Sequence, residues 1–199
     1  PTITLRRPTG LLNATIDLPA SKSIANRVAV LQALMPELRT RGGNASEDTQ
    51  VVQAFIARYS DPHLADRGTL NLQMAGTAAR FLTALACVLP GTVVLEGSTR
   101  LMERPLKALI DALTAAGASI ECMGKEGQLP LRIKGNPNWQ PGRLVLQHPE
   151  SSQMLSALLL LAPHWQVGTV VEVVGDVPSE GYTRLTLNVL LQMGVLWKH

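Results

Sequence analysis

The stretch Leu18-Pro19-Ala20-Ser21-Lys22-Ser23-Ile24-Ala25-Asn26-Arg27 governs the reading of the rest of the chain. Pro19 and Ala20 close an extended segment. Ser21-Lys22-Ser23 then opens a run to Leu34 whose apolar residues recur at helical spacing. A serine at a helix start satisfies a free backbone N–H of the first turn. The other open N–H groups and the positive end of the helix attract an anion, commonly a phosphate. Lys22 adds a mobile point charge, and Arg27, one turn further in, adds a planar fork suited to phosphate or carboxylate oxygens. Taken alone, such a stretch reads first as a capped helix with solvated cations. Its weight comes from recurrence.

Upstream, Thr2 to Arg6 and Asn13 to Leu18 read as strands around a Pro8-Thr9-Gly10 turn. Downstream, Gly42-Gly43-Asn44 breaks the chain, and Ser46-Glu47-Asp48 opens a second helix through Val51, Val52, Phe55, Ile56 and Tyr59. A strand follows at Thr69 to Gln73. The pattern then repeats: Gly76-Thr77-Ala78-Ala79-Arg80 opens an apolar helix, Phe81 to Leu89, ahead of a strand at Thr92 to Glu96. Arg104-Pro105 starts a helix, Leu106 to Ala116, with proline suited to a first turn. Ser119 to Met123 pairs with Leu129 to Lys134 as a hairpin. In a third round, the strand Arg143 to Gln147 precedes Ser151-Ser152-Gln153 and the helix Met154 to Leu161. A strand, Thr169 to Val174, and a helix, Tyr182 to Leu191, complete it.

The spacing predicts three units of strand, helix, strand, helix and hairpin, recurring at roughly 55 to 75 residues and packed around shared hydrophobic surface. The fold class expected is α/β (α+β), three βαβαββ units about a pseudo-threefold axis. The competing reading is an ordinary α/β domain whose alternation only looks repetitive. The third unit lacks its hairpin and the chain stops just past Gly194, so the sequence is expected to be a fragment.

Composition narrows the functional classes. With 199 residues, 46% hydrophobic and 17% charged, the chain can bury a substantial core, and 4% aromatics make that core aliphatic. Net charge is only +3, with Lys and Arg scattered and no aromatics interleaved, so a nucleic-acid groove is not indicated. Cys87 and Cys122 stand apart without metal-ligand spacing, as buried thiols of a reducing compartment would. His63, His148, His164 and His199 form no cluster. The longest apolar run, Met154 to Pro163, is too short to span a bilayer. A soluble, cytoplasmic protein without metal or other cofactor is expected.

The openings at Ser21-Lys22-Ser23, Gly76-Thr77 and Ser151-Ser152-Gln153 hold equivalent places in their units. Related by threefold symmetry, they would lie at one end of the domain, with Gly76 allowing close backbone approach to a ligand. Arg104 joins them, because a cation at a helix start opposes the dipole and so hints at binding. Its competing role is a salt bridge to Glu103. No Ser–His–Asp arrangement, Walker lysine loop or G-x-G-x-x-G is present. Glu150 is the nearest acid to an opening and reads as a solvated loop residue. Apart from Lys22 there is little to move a proton.

At this level of detail the chain resembles the 5-enolpyruvylshikimate-3-phosphate synthase family. Leu18-Pro19-Ala20-Ser21-Lys22-Ser23-x-x-Asn26-Arg27 is similar to its N-terminal signature, and Ala75-Gly76-Thr77-Ala78-Ala79-Arg80 to its second. Glu103-Arg104-Pro105, Ser151-Ser152-Gln153 and Ser179-x-x-Tyr182 follow in the family's order. The resemblance implies one domain of the two-domain enolpyruvyl transferase fold. Residues 1–16 would form a strand segment of the missing second domain, and residues 17–199 three units with the last cut short. It implies transfer of the enolpyruvyl group of phosphoenolpyruvate to the 5-hydroxyl of shikimate-3-phosphate through a tetrahedral adduct, releasing phosphate without a metal. Lys22, Arg104 and Gln153 would be catalytic: Lys22 meets phosphoenolpyruvate and serves in proton transfer, Arg104 and Gly76 hold its phosphate, and Gln153 touches both substrates. Ser23, Arg27, Ser151, Ser152, Ser179 and Tyr182 would hold shikimate-3-phosphate.

The family commonly has asparagine before the Ala-Gly-Thr, where this chain has Met74, and its acidic proton-transfer residues lie in the other domain. Two alternatives stand beside this reading. A UDP-N-acetylglucosamine enolpyruvyl transferase would typically show Ala-Lys-Asn at the first opening and a reactive loop cysteine. A non-catalytic anion-binding module would need only the helix openings.

Overall fold

The computed structural model describes residues 21–39, 46–59 and 63–198. The expected strands at Thr2–Arg6 and Asn13–Leu18, the 42–44 break and the 1–16 segment lie outside them. Two helices come first, α1 (Lys22–Leu34) and α2 (Glu47–Ala57). Both start on serine: the Ile24 N–H donates to Ser21 Oγ at 3.4 Å and the Thr49 N–H to Ser46 Oγ at 3.3 Å.

The next stretch forms one complete βαβαββ unit: β1 (Asp66–Asn71), α3 (Gly76–Val88), β2 (Gly91–Glu96), a short α4 (Thr99–Met102), α5 (Lys107–Ala115), β3 (Ser119–Cys122) and β4 (Leu131–Gly135). The sheet order is β1-β2-β4-β3. The first pair is parallel, joined by α3 as a crossover, and the other two are antiparallel. The order then begins again with β5 (Arg143–Gln147), α6 (Ser152–Leu159), a 3₁₀ turn at Ala162–His164, β6 (Val170–Val174) and α7 (Glu180–Gln192). β5 and β6 are parallel, again around a helix. The protein is therefore a mixed α/β fold with a repeated unit, as the spacing predicts. Residues 195–198 form no strand.

Helix α3 lies at the centre. Every residue from Ala78 to Val88 is buried, as expected of a helix apolar on all sides. In its second half two side chains turn back on their own helix: Thr83 Oγ1 donates to the Ala79 carbonyl at 2.7 Å and Cys87 Sγ to the Thr83 carbonyl at 3.3 Å. A methyl at Gly135 would overlap the Ala86 and Leu89 carbonyls, so glycine lets the end of β4 seat against α3.

Cys87 and Cys122 are both free, the first buried and the second half-buried. Burial pushes the Cys87 thiol up from 9.0 to about 12. An unfolded chain then ionises this thiol at lower pH than the folded one. The associated stability is complete below pH 9.0 and is lost as pH rises toward about 12. By about pH 10.5 the loss is about 2 kcal/mol. Burial raises Tyr59 in the same direction, against the opposing pull of Arg67. We therefore expect urea-unfolding stability to fall between about pH 8.5 and 10.5, and Cys87→Ala to remove about 2 kcal/mol of that fall. An unchanged pH slope in the variant would show that this thiol stays protonated in both states.

Candidate anion-binding site

The turns that feed the helices carry the backbone strain. The non-glycine residues with positive φ among those described are Gln73 (53°), His148 (43°) and Ser179 (57°). They sit between β1 and α3, between β5 and α6, and between β6 and α7. Each such residue costs on the order of 1 kcal/mol, and strain of this kind gathers where function fixes the backbone. These turns also follow the carboxyl ends of parallel strands, where open α/β sheets bind ligands.

A cleft of about 200 Å³ lies among these helix starts, lined by Lys22, Ser23, Asn26, Arg27, Thr77, Gln153 and Tyr182. It draws side chains from α1, α3, α6 and α7. Gln153 Nε2 donates to Thr77 Oγ1 at 3.1 Å, joining the starts of α6 and α3. Ser151 caps α6, accepting from the Gln153 N–H at 3.2 Å, and Ser152 behind it is buried. Tyr182 is half exposed at the rim.

Lys22, the first residue of α1, is 53% exposed, and its Nζ lies 3.1 Å from Asp48 Oδ1, which is 8% exposed. In the sequence, Ser46-Glu47-Asp48 reads only as a helix opening. The structure brings this carboxylate in from the first turn of α2. Asn26 faces the same cleft. Its Oδ1 accepts from Thr49 Oγ1 at 3.0 Å, and its Nδ2 is buried without a partner.

Arg27 is 2% exposed and joins three helices. Its Nε donates to Thr186 Oγ1 at 2.7 Å, Nη1 to the Ser23 carbonyl at 2.8 Å, and Nη2 to Ser156 Oγ at 3.2 Å and the Tyr182 carbonyl at 3.1 Å. The guanidinium also lies 5.4 Å from the Phe81 ring centroid. Burial lowers its pKa to about 10, with the Tyr182 phenol pulling the other way. Arg27 is therefore a buried cation with neutral partners, held at the wall of the cleft.

Arg104 departs from its expected setting. The helix after it begins at Lys107, and Arg104 occupies an exposed turn between α4 and α5, with its N–H bonded to the Leu101 carbonyl at 3.1 Å. The cause is that the Ser98-capped α4 ends at Met102 and the Leu106 N–H turns away to the Gly127 carbonyl at 2.8 Å. No helix starts at Arg104, so its charge opposes no helix dipole there. Its side chain instead lies against Gly76, where a methyl would stand 2.5 Å from Arg104 Nη1. A salt bridge from Arg104 to Glu103 is not among the ion pairs of the described residues. The last helix likewise starts at Glu180 rather than Tyr182, leaving Ser179 exposed at its cap position without a side-chain bond.

The site thus unites Lys22, Ser23, Arg27, Gln153 and Tyr182 in one cleft, with Gly76 beside Thr77 and Arg104 against Gly76. Ser151, Ser152 and Ser179 stand at the helix starts around it. Met74, exposed next to α3, accepts from Ser98 Oγ at 2.7 Å through its sulfur. Among the described residues no group of His, Cys, Asp and Glu could hold a metal ion, and no helix is long and apolar enough to cross a membrane.

Fold and site together define an α/β domain that gathers helix starts and cations around one small cleft. The family model described as EPSP synthase (3-phosphoshikimate 1-carboxyvinyltransferase) matches residues 6–199, and the chain belongs to that family. The 3-phosphoshikimate 1-carboxyvinyltransferase of Hamiltonella defensa is 36% identical over 216 residues, covering 96% of this chain and 49% of the relative. That of Trichormus variabilis is 35% identical over 210 residues, covering 96% and 48%. The chain spans about half the length of the curated relatives it matches. Among solved structures, EPSP synthase from Acinetobacter baumannii superposes with a TM-score of 0.64 at 19% identity, over 85% of this chain and 42% of that one, a likeness of fold.

Proposed function

We propose that this chain is one substrate-binding half of an enzyme that transfers the enolpyruvyl group of phosphoenolpyruvate to the 5-hydroxyl of shikimate-3-phosphate, releasing phosphate. The observation that carries this reading is the single cleft shared by α1, α3, α6 and α7, with Lys22, Arg27, Thr77 and Gln153 on its wall. Membership of the family supplies the reaction class. Lys22 meets phosphoenolpyruvate, with Asp48 fixing its ammonium. The Gly76 N–H and Arg104 hold the phosphate, and Gln153 lies between the two ligands. Ser23, Arg27, Ser151, Ser152, Ser179 and Tyr182 hold shikimate-3-phosphate.

The chemistry asks for these parts. A methylene carbon gains a proton and later loses one, the hydroxyl proton departs, and phosphate leaves with its charge. Fixed donors aimed at that charge stabilise the transition state most when water is excluded. The described residues form only one wall of such a site. A second domain of the same protein would close it and bring acidic groups for proton transfer, so the isolated chain has no turnover.

The full-length protein should release phosphate only when both substrates are present; release from phosphoenolpyruvate alone, or none from the pair, would overturn the reading. The isolated chain should bind shikimate-3-phosphate weakly in a calorimetric titration, because half the contacts and the closure are missing. Submicromolar binding would contradict the division of the site between two domains.

A further inference from the structure

We propose that Arg80 is a positioning residue that ties the Gly76 turn and the Arg104 turn into one phosphate clamp. The inference rests on the reading above that Gly76 and Arg104 hold the phosphate of phosphoenolpyruvate.

Arg80 lies one turn into α3 and is 6% exposed. Its Nη1 donates to the Gly76 carbonyl at 2.9 Å, and its Nη2 donates to the Pro105 carbonyl at 3.1 Å. One planar group therefore spans the first residue of α3 and the residue that follows Arg104. Such a fork holds two acceptors in a fixed relation, which an ammonium on a flexible stem does not. Both guanidiniums crowd the same glycine: a methyl there would meet Arg104 Nη1 at 2.5 Å and Arg80 Nη1 at 3.3 Å.

This arrangement is costly for a purely structural tie. Arg80 is buried beside a second cation, and its Nε is buried with no hydrogen-bond partner. Burial lowers its pKa, Arg104 lowers it further, and Glu150 opposes them. A neutral side chain could bridge two carbonyls without that repulsion. The charge makes physical sense if a dianion settles at Gly76 and relieves both guanidiniums, one touching it and the other holding the cradle in shape. Positioning of this kind, one layer behind the contact, commonly sets affinity without touching the ligand.

The test uses the full-length protein with Arg80→Lys, Arg80→Gln, Arg104→Ala and the Arg80→Lys/Arg104→Ala double variant. Arg80→Lys keeps the charge but cannot span both carbonyls. It should raise KM for phosphoenolpyruvate about 10-fold while moving KM for shikimate-3-phosphate less than about 2-fold. In the Arg104→Ala background it should add less than about 2-fold, because it acts through Arg104. Equal rises in both KM values, or effects that multiply in the double variant, would reduce Arg80 to a general structural part and overturn the inference. If Arg104→Ala raises KM for phosphoenolpyruvate and Arg80→Lys does not, the inference fails and the parent reading stands. If Arg104→Ala has no effect, the parent reading falls and takes the clamp with it. A measurement on the unmodified protein guards against variants that do not fold. Phosphoenolpyruvate should shift the Arg80 Nε–H resonance together with the Gly76 amide, and a silent Arg80 signal would overturn the inference.

Discussion

Arg27→Met should cost the chain about 2–4 kcal/mol of folding stability, because buried acceptors on three helices lose their donor. Four donor contacts disappear together. Thr186 Oγ1 keeps a partner in Ser156 Oγ at 2.8 Å and the Tyr182 carbonyl at 2.9 Å, but the buried Ser156 Oγ and the partly buried Ser23 and Tyr182 carbonyls each lose a donor. Arg27→Lys should recover part of the loss, since an ammonium restores charge without the fork. Urea unfolding at neutral pH reads both. A cost below about 1 kcal/mol would mean that water replaces the guanidinium at no penalty. In the full-length protein, Arg27→Ala should also reduce affinity for shikimate-3-phosphate more than for phosphoenolpyruvate. Equal losses for the two ligands would count against its assignment to the former.

The second large effect is on turnover. Lys22→Met in the full-length protein should lower kcat/KM about 1,000-fold, or about 4 kcal/mol of transition-state stabilisation. Lys22 is the cation in the cleft with a mobile stem, and half of its surface faces solvent where a ligand would arrive. Asp48→Asn should cost about 10-fold, because the carboxylate that fixes the ammonium is replaced by a neutral acceptor. A Lys22→Met enzyme that keeps more than about a tenth of kcat/KM would move the proton-handling role to the other half of the protein.

Much of the fold could be read from the residues, for identifiable reasons. Arg143-Leu144-Val145-Leu146-Gln147 is a short β-branched and apolar run between polar ends, and β5 spans those same residues, buried at Leu144 and Leu146. Ser21, Ser46 and Ser151 are capping residues, and each caps a helix. Ala75 offers no side-chain cap, yet α3 begins at Gly76, a turn earlier than the Phe81 at which the apolar run starts. β1 starts at Asp66 because it follows β2, across an irregular register between Asp66 and Thr69 that no local pattern announces. The four residues of α4 are too few to display a helical period. Arg104 therefore lies in the turn between α4 and α5 and not at the helix start that its neighbour Pro105 suggests.

The candidate site was legible at its helix openings and hidden in the links between them. Lys22, Ser23, Arg27 and Gln153 stand out because a cap, a cation or an amide sits at a helix start. Asp48, Thr186, Ser156 and Arg80 do not, since each looks like an ordinary helical residue. What gives them a role is a bond to a distant part of the chain: Arg27 to Thr186 spans 159 positions and Arg80 to Pro105 spans 25. Separations of that kind arise from tertiary packing and leave no periodic trace.

The alanines of α3 turn that helix into a thin spindle. Ala78, Ala79, Ala84 and Ala86 present almost no side-chain bulk, so α1, α2, α5 and α6 draw in close around it. The girth of the spindle then fixes how far apart the helix starts around the cleft stand. Adding a few methyl groups deep inside, well away from any substrate, would spread those turns like the ribs of an umbrella. The width of the candidate cleft is accordingly a dimension set at the axis of the domain as well as by the side chains at its rim.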